Sequence, residues 1–193
     1  MPDVITQEQL LLDAVNILLE TIDELPVDDE EEYEHFLEAK QAKSKIYEVT
    51  RAVLSEKWDF NSDKNYVFPL DVNGMIPVPT NVLNITGNRG DVIMRNWKLY
   101  SKKDQTHIFE EEVPCDVVWL FDFNTLSQPL RHYITIRAAR IFSARTIGDK
   151  NAIAFNEMDE EDARIAARRS EGFTGQYNML NSRYGVSSLA RLT

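Results

Sequence analysis

The segment QPLRHYITIRAARIFSARTIGD, Gln128 to Asp149, holds four arginines within fifteen residues: Arg131, Arg137, Arg140 and Arg145. A guanidinium is a planar fork of donors that matches a carboxylate or a phosphate. Three partners are therefore open: DNA, a neighbouring subunit, or the chain's own acids. At 100° per residue, Leu130, Ile134, Ala138, Ile141 and Phe142 fall on one arc of a helix. Arg145 lies inside that arc, Arg137 at its edge and Arg140 outside it. The arginines thus form no separate basic face of the kind a DNA-reading helix presents. An arginine within an apolar stripe is half-buried and needs a carboxylate, preferably bidentate. The acid-rich first and second helices, or a subunit seam, are the expected sources, which assigns Arg137, Arg140 and Arg145 to bundle or subunit ion pairs.

Other chemistry has little support. The three histidines, His35, His107 and His132, fall in three different elements. There is no HExxH, CxxC or Cys/His cluster for a metal, no phosphate-cradling glycine loop and no GxSxG elbow. The single cysteine, Cys115, sits in the apolar run VPCDVVWL and reads as a buried, inert thiol. With 32 acids in 193 residues, carboxylate pairs arise by chance. The residues predict no catalytic site, no cofactor and no metal. A hydrolase acting on polysaccharide or cell wall through β-region carboxylates stands as the alternative.

Composition bounds the rest. A net charge of −11 disfavours nonspecific binding to nucleic acid. Thirteen acids and no lysine or arginine precede Lys40, whereas 172–193 holds two arginines and no acid. No apolar run approaches the roughly 20 residues that span a bilayer, and the N-terminus lacks the basic start of a signal peptide. One cysteine excludes an internal disulfide and fits a reducing cytosol at synthesis.

The elements that must position these residues follow from periodicity. Thr6 to Gln9 reads as a capping box, followed by Leu11, Ala14, Val15, Leu18, Ile22 and Leu25 at helical spacing up to Pro26. Asp28 and Asp29 can cap a second helix to about Glu56, with Phe36, Ala39, Ala42, Ile46, Val49 and Val53 on its apolar face. From Trp58 the texture becomes six short strand-like runs punctuated by Asn, Asp, Gly and Pro, with turns at 71–74 and 87–90. Trp58 and Phe60 are expected as a core hinge where helices give way to strands. Helical spacing returns at Gln128, and a fourth helix, acids first and arginines after, is expected from about Asn151 to Ser170. The fold class is α+β: a four-helix bundle (1–57 and 128–171), a small antiparallel β-domain inserted between helices two and three (58–127), and an extended C-terminal tail (172–193). That tail should be poorly ordered alone, yet its spaced aromatics suit a segment that folds on a partner.

AVNILLETIDELPV, KWDFN at 57–61, LRHYITIRAARIFSARTIG at 130–148, the acidic run 158–162 and YNML at 177–180, in this order, carry a family resemblance. The chain resembles the tail tubular protein A family of short-tailed bacteriophages, the gatekeepers or head–tail adaptors. The resemblance implies a virion tail protein that is not an enzyme. It implies a twelve-subunit ring between the portal protein and the nozzle (tail tubular protein B), which transmits double-stranded DNA without binding it specifically and helps retain the packaged genome. It places Phe173, Tyr177, Asn178, Met179, Leu180 and Tyr184 on the portal. On the nozzle side it suggests the loops with Asp71, Asn73, Lys102 and Lys103. No membrane partner is implied.

Overall fold

The structure is a computed structural model and describes residues 7–29, 31, 35–87, 90–146 and 155–179. Four helices occur among them: α1 (Gln7–Glu20), α2 (Leu37–Leu54), α3 (Gln128–Thr146) and α4 (Glu157–Met179). Five strands occur: β1 (Ser62–Val67), β2 (Val82–Gly87), β3 (Val92–Arg95), β4 (Lys98–Ser101) and β5 (Pro114–Trp119). The protein is α+β, with small antiparallel sheets. The chain divides into two compact units, 1–50 with 122–193, and 51–121.

In the helical unit, α1 buries Leu11, Ala14, Val15, Leu18 and Leu19. Each large side chain among them contributes about 1.5–3 kcal/mol. The helix ends at Glu20, before Pro26. Asp23 takes a left-handed backbone (φ 59°), Glu24 N donates to Leu19 O (3.1 Å) and Asp23 N donates to Glu20 O (3.2 Å). These two bonds form a Schellman cap that stops the helix without a proline. Leu25 accordingly leaves the expected stripe and is 84% exposed. Asn16 then holds the outgoing chain, donating from Nδ2 to Val27 O (3.0 Å) and accepting from Val27 N at Oδ1 (2.9 Å).

α2 starts at Leu37, not at the two aspartates, because residues 35 and 36 are not helical. Phe36 is therefore exposed and outside the apolar face. α3 is buried on most sides, with Tyr133, Ile136 and Ala139 covered as well as Leu130, Ile134, Ala138 and Phe142 of the expected arc, whereas Ile141 is half-buried. It packs against both α1 and α4. α4 begins at Glu157 because Asn156 caps it: Oδ1 accepts from Met158 N (2.7 Å) and Asp159 N (3.0 Å), while Asn156 N donates to Asp159 Oδ2 (2.8 Å). This reciprocal cap sets the start several residues later than periodicity suggests. At the other end, 172–179 continues as helix, so the expected tail does not begin at Gly172. Once a helix is nucleated, each added residue gains one backbone bond, which offsets the roughly 1 kcal/mol cost of each of Gly172 and Gly175.

In the second unit, β5 lies between β1 and β2 in one antiparallel sheet, and β3 pairs with β4 in a hairpin. Six strands were expected. The run THIF makes only isolated bridges, Ser101 to Thr106 and Met75 to Ile108, and Pro77 and Pro79 lack the N–H a longer β2 would need. Phe68, Ile76, Val78, Val82, Ile85, Val92, Leu99, Cys115 and Val117 form the core. Trp58 is buried, and its indole N–H donates to Val53 O (2.8 Å). Phe60, expected beside it in the core, is 47% exposed and tilts against Phe121 at 6.0 Å.

Candidate functional site

Two of the four arginines of α3, Arg137 and Arg140, converge on one carboxylate. Arg137 and Arg140 are three residues apart, so their side chains leave one side of the helix together. α4 crosses that side and presents Glu160. Arg140 Nε donates to Glu160 Oε2 at 2.6 Å, and Arg137 Nε lies 3.6 Å from Oε1. The Glu160 side chain is only 16% exposed, and the two arginines 27% and 29%. Arg137 Nη1 also donates to the hydroxyl of buried Tyr133 (2.9 Å). The expected source of the carboxylate was the first two helices; it is the fourth. Ala163 and Ala167 are buried on α4, and small side chains let the helices approach closely enough for the fork to reach. Arg145, expected inside the apolar stripe, is exposed near the last turn of α3. There it acts at longer range on Glu48 of α2. The Glu48 carboxyl is held below its usual range chiefly by a hydrogen bond from Lys45, with the charges of Lys45 and Arg145 adding to it.

The turn residues of the β unit are built locally. Asp71 Oδ1 accepts from Asn73 N (2.8 Å) and Met75 N (2.9 Å), and Gly74 N donates to Asp71 O (3.1 Å). These backbone donors hold the Asp71 carboxyl below its usual range. Gly74 has φ 73°, and a Cβ there would lie 3.2 Å from Phe109 O, so the turn requires glycine. Val72 at its tip is fully exposed. Lys102 and Lys103 are exposed in the turn after β4, which Asp104 closes through Ser101 Oγ (2.8 Å).

Of the expected tail residues, Phe173, Tyr177, Asn178 and Met179 lie on the last turns of α4. Leu180 and Tyr184 lie outside the described residues.

Chemistry elsewhere is sparse. Burial pushes the Cys115 thiol up to about 11, which keeps it protonated and unreactive at neutral pH. His107 contacts Leu99 O through Nδ1 (2.9 Å) and meets the Tyr100 ring edge-on, whereas His35 and His132 are exposed. Among the described residues no group of His, Cys, Asp and Glu could hold a metal ion. No described helix is long and apolar enough to cross a membrane.

Sequence reasoning missed Asn61. It is fully buried, accepts from Trp58 N at Oδ1 (2.9 Å) and donates from Nδ2 to Leu54 O (2.9 Å) and Trp119 O (2.8 Å). Its only sequence signal is its place in KWDFN, where an asparagine ends an aromatic run.

One protein-family model, described as tail tubular protein, matches residues 12–177. No curated protein matches the chain.

Proposed function

The chain belongs to the tail tubular protein family and is a structural component of a phage tail, and from that premise we propose that it is the head–tail adaptor. Twelve copies form a ring that joins the portal protein above to the nozzle protein below. The ring continues the channel for double-stranded DNA and helps retain the packaged genome until ejection. The observation that carries this reading is membership of the family across most of the chain. Charge supports it. A wall with a net charge of −11 per copy repels phosphate, so DNA slides past without binding. The C-terminal segment with Phe173, Tyr177, Asn178, Met179, Leu180 and Tyr184 docks on the portal. Asp71, Asn73, Lys102 and Lys103 face the nozzle, on the stiff, exposed turns of the β unit. The ion pairs of Arg137 and Arg140 with Glu160 stiffen the helical unit against the load of a pressurised head.

Light scattering on the purified chain, alone and with its portal protein, tests the proposal. A second sample ends after Met179, which leaves α4 whole. The full chain should give a twelve-copy ring on the portal, and the shortened chain should fail to. No portal binding by the full chain overturns the adaptor reading.

A further inference from the structure

The charge of this chain is polarised along its length. Its first 39 residues carry thirteen acids and no lysine or arginine, while 163–193 carries five arginines and one acid. The outward side of α4 concentrates that basic end. Arg164, Ile165, Arg168 and Arg169 line an open depression of about 330 Å³. This is the small end of the roughly 300–1,000 Å³ of ligand pockets and suits one or two inserted side chains. Ile165 and, two turns earlier, Met158 are exposed apolar residues on the same helix. Arg164 and Arg168 pair with Glu161 (3.0 Å) and Glu171 (3.4 Å) at i,i+3 spacing. The Arg164–Glu161 pair is exposed on both sides, so it is worth about 0–1 kcal/mol and exchanges readily for a better partner, whereas Glu171 is only 14% exposed. Among the described residues no carboxylate pairs with Arg169.

The complementary surface is on the same chain. Asp28, Asp29 and Glu31 are exposed, and beside them in sequence Phe36 and Leu37 are 52% and 61% exposed. Acid and large apolar side chains thus fall within one short stretch of chain, an acidic ledge. We propose that the arginine-lined face of α4 seats the ledge of Asp28, Asp29, Phe36 and Leu37 from a second copy of this chain. The inference rests on the ring reading and names its seam. A basic face that meets a different, acidic surface makes a heterologous contact, the type that repeats around a ring. Copies with a net charge of −11 repel one another at long range. Opposite patches overcome that repulsion only in the one register that brings them together.

Sedimentation velocity on the full chain tests the seam, with folding checked by circular dichroism. Arg164→Glu/Arg169→Glu makes both surfaces acidic, and changing Asp28, Asp29, Glu30 and Glu31 together to lysine makes both basic. Wild type should assemble, each variant alone should associate at least tenfold more weakly, and an equimolar mixture should recover wild-type assembly. Recovery on mixing requires the two surfaces to meet each other. If both variants assemble as wild type does, the seam is overturned and the ring reading stands. If only the arginine variant is impaired and mixing does not restore it, α4 meets a different acidic surface and the seam is again overturned. Wild type that stays monomeric at every concentration and with its portal overturns both the seam and the ring.

Discussion

At the scale of single residues, Asn61 and Glu160 each hold more than one polar group at once. Asn61→Ala leaves the buried Trp58 N–H and the Leu54 and Trp119 carbonyls without their partner. It should destabilise the protein by about 3 kcal/mol in urea unfolding, since each such loss costs roughly 1–3 kcal/mol. Glu160→Gln leaves Arg137 and Arg140 sharing a neutral amide and should cost about 2 kcal/mol, from the roughly 1.5–3 kcal/mol of a bond to a charged group. Arg145→Ala, at an exposed position, should stay within about 0.5 kcal/mol. Glu48 and Asp71 set part of the acid response. Both carboxyls have folded-state values below their ordinary 4.5 and 3.8. Their stabilisation is therefore fully present above those values and lost as pH falls through the lowered ones. Glu48→Gln and Asp71→Asn should each flatten the decline in Tm between about pH 5 and pH 2, the span over which such carboxylates protonate.

At the scale of elements, caps and close approaches decide where helices and strands stop. Asn156→Ala should lower stability by about 1 kcal/mol through loss of the α4 cap. Gly172→Ala has open space around the new methyl and should stabilise the helix by about 0.5–1 kcal/mol. Gly87→Ala would set a Cβ 2.8 Å from Val92 Cβ and should cost about 1–3 kcal/mol. Trp58→Ala should cost about 3–5 kcal/mol. The periodic signal made α1 and α3 legible as helices, and the turn-rich region between 58 and 127 legible as β structure. What it could not reveal were the ends, because these depend on single hydrogen bonds. Asp23 in a left-handed turn and Asn156 as a cap carry no periodicity. The same holds for the site. The arginines of α3 stood out as a cluster, but Glu160 is one acid in a run of four and is selected only by the crossing of α4. The α4 extension through GFTGQYNM was hidden because its composition resembles a linker.

At the scale of the whole molecule, charge governs what the chain touches. A low-salt mobility-shift titration with duplex DNA should show no complex, since a net charge of −11 repels phosphate. A retarded band would contradict a non-adhesive channel wall. Assembly should weaken as salt rises from about 0.05 to 0.5 M, because screening shortens the reach of exposed charges to a few ångströms. The place of Asn61 bears on mechanics as well. The 51–121 unit receives the chain through the end of α2 and returns it after β5, and Ser62 pairs with Val118 at that same end of an antiparallel pair. Tension between the inbound and outbound chain would peel β1 from β5 one bond at a time, the weak geometry for a zipper, instead of shearing all bonds together. The Asn61 amide ties Leu54 O to Trp119 O at the very mouth of that zipper. It is therefore the first link to bear force, and the rupture force of the unit in a pulling experiment should fall when it is removed.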